Sequence, residues 1–141
     1  MIVTRSIEFP MGHRLQAHGG LCRHVHGHNY KVVVEVEGEP DSEQGMIIDF
    51  SDLKREMEDV FKKYDHALVL QETDPLWSFI RNSMEAKSFG LDRVLYMKNP
   101  PSAENLARLW FFQLDVRITG LFSVTVFESS NTSARYVPEV D

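Results

Sequence analysis

The stretch His26-Gly-His28-Asn-Tyr30-Lys-Val32-Val-Val34-Glu-Val36-Glu37 alternates from end to end. Tyr30, Val32, Val34 and Val36 point one way; Asn29, Lys31, Glu35 and Glu37 point the other, which is the period of a half-buried strand. His26 and His28 share the parity of the valine face, so two imidazoles project from one side of the strand, close enough to share an ion. An apolar face is a costly place for two unliganded imidazoles, and metal binding outweighs a purely structural reading of the pair. Either histidine alone would be read as a polar residue at the edge of a glycine-rich loop.

Upstream, residues 14–25 read as a loop centred on Gly19 and Gly20, and residues 1–13 as a second strand with Val3, Ile7, Phe9 and Met11 on one face. His13 has the parity of that face. From a neighbouring strand it would complete a three-histidine site, and three histidines with an open fourth position describe a catalytic zinc rather than a structural one. Of the six histidines in the chain, five fall between positions 13 and 28; the other two of that group, His18 and His24, lie in the loop as solvated residues.

Downstream, Ser51 is positioned to cap a helix carrying Leu53, Met57, Val60, Phe61 and Tyr64. Ser102 caps a second helix with a stripe of Leu106, Trp110 and Leu114. Val124, Val126 and Phe127 make a third strand, and Ser133 to Val137 a fourth. The segment from Asp65 to Pro101 is the least legible, with a short helix over Trp77, Phe79, Ile80 and Met84. The order strand, strand, helix, helix, strand, strand implies an antiparallel α+β domain, a single one over residues 1–141.

Bulk properties narrow the function. Hydrophobic residues make up 43% of the 141 positions and charged residues 26%, the composition of a soluble domain. A net charge of −6 argues against general nucleic-acid binding. No apolar run is long enough to cross a bilayer and the N-terminus lacks an apolar signal core, so the expectation is a cytoplasmic protein without membrane or nucleic-acid partners. An anionic ligand would need locally placed cations, for which Arg14, Arg23 and Lys31 are candidates.

The single cysteine, Cys22, cannot form an internal disulfide. Four residues before His26, it is a reactive thiol, a fourth metal ligand or an inert side chain; a nearby zinc and Arg23 would favour the thiolate. Asp65 beside His66 can tune imidazole basicity and relay protons, or Asp65 can simply cap. Glu104, early in the second helix, complements its dipole. Glu128 places a charge at the end of an apolar strand, where it could accept two hydrogen bonds from an amidine-like ring edge.

These pieces together resemble the 6-pyruvoyltetrahydropterin synthase / 6-carboxytetrahydropterin synthase family. The matching blocks are Phe9-Pro-Met-Gly-His13-Arg-Leu, Cys22-Arg-His-Val-His26-Gly-His28-Asn-Tyr, Gly45-Met-Ile-Ile-Asp49-Phe, Asp65-His66, Pro101-Ser-Ala-Glu104-Asn-Leu-Ala, and Glu128 with Tyr136. They occur in family order over nearly the whole chain. The resemblance implies the T-fold, a ββααββ unit with two helices on one face that assembles through its sheets into barrels. It also implies homo-oligomers, typically hexamers built as dimers of trimers, with active sites at subunit interfaces. His13, His26 and His28 would ligate Zn2+, Cys22 would be the general base with Asp65 and His66 as relay partners, and Glu128, assisted by Glu104, would anchor a pterin.

Three residues between Cys22 and the His-Gly-His are similar to the queuosine-pathway branch. That branch converts 7,8-dihydroneopterin triphosphate to 6-carboxy-5,6,7,8-tetrahydropterin with release of acetaldehyde and triphosphate. The departures are Gly12 before the first histidine, Ala67-Leu-Val-Leu-Gln71 after the Asp-His pair, and a long segment between His66 and Pro101 expected to form an added helix or lid. Alternatives are another pterin side-chain reaction, a zinc-binding assembly module without catalysis, and a hydrolase using zinc-bound water. The last lacks a carboxylate base of the H-E-x-x-H kind.

Overall fold

Strands β1 (Ile2–His13) and β2 (His26–Glu37) form one antiparallel ladder over their full length. Ile2 lies opposite Glu37, and His13 opposite His26. The computed structural model describes residues 1–139, so the expected C-terminal limit at residue 141 lies outside the described residues. The ladder can close at the histidine end because residue 27 is glycine: a Cβ there would stand 3.1 Å from the Met11 carbonyl oxygen.

On the far side of β2, β5 (Leu121–Ser129) runs antiparallel, and β6 (Thr132–Tyr136) pairs antiparallel with β5. Gly120 turns the chain into β5 with φ +79°, and a Cβ at that position would fall 2.5 Å from the Glu37 carbonyl oxygen. Both the left-handed backbone and the close approach require glycine there.

Helix α1 (Phe50–Phe61) and helix α3 (Ala103–Asp115) cover one sheet face. Leu53, Met57 and Phe61 of α1 and Leu106, Trp110 and Leu114 of α3 bury against Phe9, Tyr30, Val32, Val34 and Val126. Each such side chain contributes about 1.5–3 kcal/mol when fully buried, whereas an exposed pair such as Lys54–Glu58 contributes about 0–1 kcal/mol. The faces of the two helices are thus set by the apolar stripe. Ser102 caps α3 as expected, its side chain accepting from the Asn105 N–H. The cap of α1 is Asp49, two residues before the expected Ser51: its carboxylate accepts from the Ser51 N–H and Phe50 begins the helix. A carboxylate is both cap and dipole partner.

The segment between His66 and Pro101 departs most from expectation. It supplies the expected helix, α2 (Pro75–Asn82), and with it two strands that were not expected, β3 (Leu68–Gln71) and β4 (Val94–Met97). Strand β3 pairs parallel with the end of β1, Gly12 opposite Leu68, and β4 pairs parallel with β3. The sheet is therefore mixed, in the order β4-β3-β1-β2-β5-β6, and the antiparallel expectation holds for its four long strands only. Val69 and Leu70 are buried, but runs of four residues are too short to display a period. The short helix expected around Trp77 is α2, with Asp74 as cap and Pro75 as first residue. Among the described residues, no helix is long and apolar enough to cross a membrane.

Candidate metal centre and its surroundings

The register of β1 against β2 builds a histidine triad. His13 faces His26 directly, and His28, two residues on, projects from the same side. The three ring centroids lie 4.6, 5.1 and 5.1 Å apart, and one nitrogen from each ring falls within 4.8 Å of the others. His13 is buried; His26 and His28 are half-buried. Its burial pushes the His13 imidazole below its ordinary pKa, against the Pro101 carbonyl and Glu128, and the neighbouring His26 and His28 push the same way as burial.

Two carbonyls set the tautomers. His13 Nδ1–H donates to the Pro101 oxygen at 2.7 Å, and His26 Nδ1–H donates to the His24 oxygen at 2.7 Å. A carbonyl only accepts, so both Nδ1 atoms carry the proton and both Nε2 atoms present lone pairs. Those two Nε2 atoms are 3.1 Å apart. Two lone pairs at that distance repel unless a cation lies between them, and burial disfavours a proton on His13. The donor set fits a divalent metal that takes imidazole nitrogen, with backbone carbonyls orienting the ligands from behind.

Glu128, near the end of β5, comes alongside. Its Oε1 is 3.9 Å from His13 Nε2 and its Oε2 is 4.0 Å from His28 Nε2. The carboxylate is 27% exposed and lines a cleft of about 500 Å³ with Asn29, Lys31, Phe127 and Ser129. It also lines a smaller hollow of about 190 Å³ shared with Glu104, Ser102 and Ala134. The two glutamates singled out in the sequence thus border one space, Glu104 from the exposed first turn of α3.

Cys22 lies in a 3-10 turn, Leu21–Arg23, and is half-buried. Its carbonyl accepts from the Leu15 N–H at 2.8 Å, which pins the turn to the residue two beyond His13. Among the described residues, the group able to hold a metal comprises the three histidines and not the Cys22 sulfur.

Asp65 and His66 are a hydrogen-bonded pair, His66 Nδ1–H donating to Asp65 Oδ1 at 2.6 Å. The His66 side chain is 74% exposed, and among the described residues no hydrogen bond or ion pair joins it to Cys22 or to the triad. It borders an open hollow with Pro10, Met11, Gly12, Gly27, His28 and Asn29. The resemblance implies that Asp65 and His66 act with Cys22; among the described residues no bond joins the pair to Cys22 within one chain. His66 is also the one non-glycine residue at positive φ among the described residues, at 61°. Histidine enters that region more readily than most side chains, and three contacts hold it there. The His66 N–H donates to the Pro10 carbonyl at 2.8 Å, and Arg93 donates to the carbonyls of Lys62 and Asp65 at 3.1 and 2.7 Å.

Arg93 was not foreseen, because its partners are backbone carbonyls and leave no trace in side-chain spacing. Arg14, expected among the anion contacts, is instead engaged with Asp74. Lys31 lines the larger cleft with its ammonium 5.7 Å from the Phe127 ring centroid.

The family model described as 6-pyruvoyl tetrahydropterin synthase matches residues 2–139. A 6-carboxy-5,6,7,8-tetrahydropterin synthase of Rickettsia bellii is 34% identical over 105 residues, covering 74% of this chain and 72% of its own. One from Haemophilus influenzae is 30% identical over 143 residues, covering 95% and 96%. Among solved structures, the 6-pyruvoyl tetrahydropterin synthase of Caenorhabditis elegans superposes with a TM-score of 0.72 at 24% identity, over 99% of this chain and 96% of that one. The fold it shares with this chain is the T-fold, in which β3 and β4 form one edge of the sheet here.

Proposed function

The chain belongs to the 6-pyruvoyl tetrahydropterin synthase family, and from that premise we propose that it is a zinc-dependent lyase of pterin side chains. Its substrate is 7,8-dihydroneopterin triphosphate and its products are 6-carboxy-5,6,7,8-tetrahydropterin, acetaldehyde and triphosphate, the chemistry of the queuosine-pathway branch. The observation that carries the metal centre is the pair of lone-pair-bearing Nε2 atoms 3.1 Å apart, each oriented by a carbonyl on the opposite ring nitrogen. Relatives named for 6-carboxytetrahydropterin formation and the three-residue spacing between Cys22 and His26 support the choice of branch.

His13, His26 and His28 hold the zinc, which supplies Lewis acidity toward side-chain oxygens of the substrate and so acidifies the adjacent C–H. Glu128 binds the amidine edge of the pterin through two acceptor oxygens, with Glu104 bordering the same space. Cys22 removes the proton from the activated carbon as the thiolate. The Asp65 carboxylate orients His66 through Nδ1 and leaves Nε2 to return a proton. Because the imidazole is 74% exposed and, among the described residues, no hydrogen bond or ion pair joins it to its own triad, we assign the Asp65–His66 pair to the metal centre of a neighbouring subunit, in a homo-oligomer of the hexameric kind.

Mass spectrometry of the products from zinc-loaded protein and 7,8-dihydroneopterin triphosphate tests the assignment. The expected product is 6-carboxytetrahydropterin with an equivalent of acetaldehyde. Another pterin would reassign the branch, and pterin binding without turnover would leave a metal-binding module.

A further inference from the structure

The residue after His13 is committed to the segment between His66 and Pro101 rather than to a ligand. Arg14 donates from Nε to Asp74 Oδ2 at 2.7 Å and from Nη2 to Asp74 Oδ1 at 2.5 Å, a two-pronged fit that fixes orientation as well as distance. The Asp74 side chain is 0% exposed and also caps α2, accepting from the Leu76 N–H at 2.8 Å. Two residues further, Gln16 donates to the Gln71 and Thr73 side-chain oxygens at 3.2 Å each. The anchor on the other side is firm: Ile80 is buried, and the Trp77 ring stacks on Tyr96 of β4 with centroids 4.9 Å apart. Between Arg14 and Gln16, the Leu15 N–H donates to the Cys22 carbonyl. A continuous set of contacts therefore runs from the start of α2 to the backbone of the one cysteine. A carboxylate buried without its partner is strongly unfavourable, so Asp74 holds Arg14 in place.

We propose that Asp74 is a positioning residue for Cys22: by gripping Arg14 it fixes the loop of residues 14–25 and, through it, the place of the thiol beside the histidine triad. The segment between His66 and Pro101 is then a brace for the site. The inference rests on the reading of Cys22 as the base, and its test separates the two.

Cys22 is the only cysteine in the chain, so alkylation by iodoacetamide reads this thiol alone, in the full-length zinc-loaded protein and without turnover. Asp74→Asn is expected to change the alkylation rate severalfold. Its kcat should fall about tenfold to a hundredfold, the effect of misplacing a reacting group by about 1 Å, with KM and zinc content close to those of the parent. Since Asp74 also caps α2, Arg14→Lys is the companion variant: it keeps the cap and the charge, loses one prong, and should shift both readouts in the same direction by less. Parental alkylation rates in both variants, with zinc retained, would overturn the proposal. Full turnover by Cys22→Ala would instead remove the base from the reading of function, while a changed alkylation rate in Asp74→Asn would still report the positioning contact.

Discussion

The histidine triad and the Asp65–His66 pair are both attached to the last few residues of β1, and they are built in opposite ways. The triad is enclosed. His13 is 2% exposed, its ring and that of His26 are oriented from behind by main-chain carbonyls, and the nitrogens left over converge on one point. The Asp65–His66 pair is held just as firmly in its backbone, by the Pro10 carbonyl and by Arg93, yet its imidazole opens to the surface. The difference teaches that one chain brings together three histidines able to hold a metal, while the Asp65–His66 pair has no bonded partner in that cluster among the described residues. Rigid backbone at an exposed, left-handed histidine is an expenditure of structure that a freely solvated surface residue does not need.

The comparison can be broken first at the metal. His26→Ala should reduce bound zinc from one per chain to essentially none and abolish turnover, whereas His66→Ala should leave the zinc content unaltered. Metal analysis of the two purified variants decides this, and zinc loss from His66→Ala would merge the two sites into one. A smaller effect sharpens the assignment of the pair to a neighbour. Cys22→Ala and His66→Ala are each expected to lose about 10²–10⁴-fold in rate, the range for a positioned acid or base. Mixed and reassembled, they should regain a fraction of parental activity, because some interfaces then carry both intact groups. No recovery in verified mixed oligomers would confine all the groups to one chain's site.

The smallest effect is on the metal-free protein. The folded state lowers the His13 pKa by burial, so below the ordinary imidazole range the unfolded chain binds more protons than the folded one. The sign of linkage then has stability fall as pH drops through that range and level off below the folded-state value. Thermal unfolding of the apo-protein from pH 7.5 to 5 should show a declining midpoint that His13→Asn flattens.

Much of this arrangement was legible in one dimension. The parity of His26, His28 and Tyr30 through Val36 specified a strand and the face its histidines occupy, because side-chain direction in a strand has a period of two. The apolar stripes of α1 and α3 were readable for the corresponding reason at 3.6 residues. Cys22, Glu104 and Glu128 stood out as site residues only once the family resemblance was added to residue type and spacing. The parallel pairing of β3 and β4 was not: strands of four residues show no period, and their partners are chosen by whichever edge remains open.

The amino-acid sequence by itself determined that two strands and two amphipathic helices would frame the histidine cluster, and it singled out the candidate site residues, since local periodicity and residue type are encoded residue by residue. Only the tertiary structure decided that the Nε2 atoms of His13 and His26 stand 3.1 Å apart, that Arg14 is consumed by Asp74, and that His66 bonds Asp65 at the surface. Those outcomes depend on strand register, on main-chain carbonyls and on contacts between residues sixty or more positions apart in the chain, none of which leaves a mark in the local pattern of side chains.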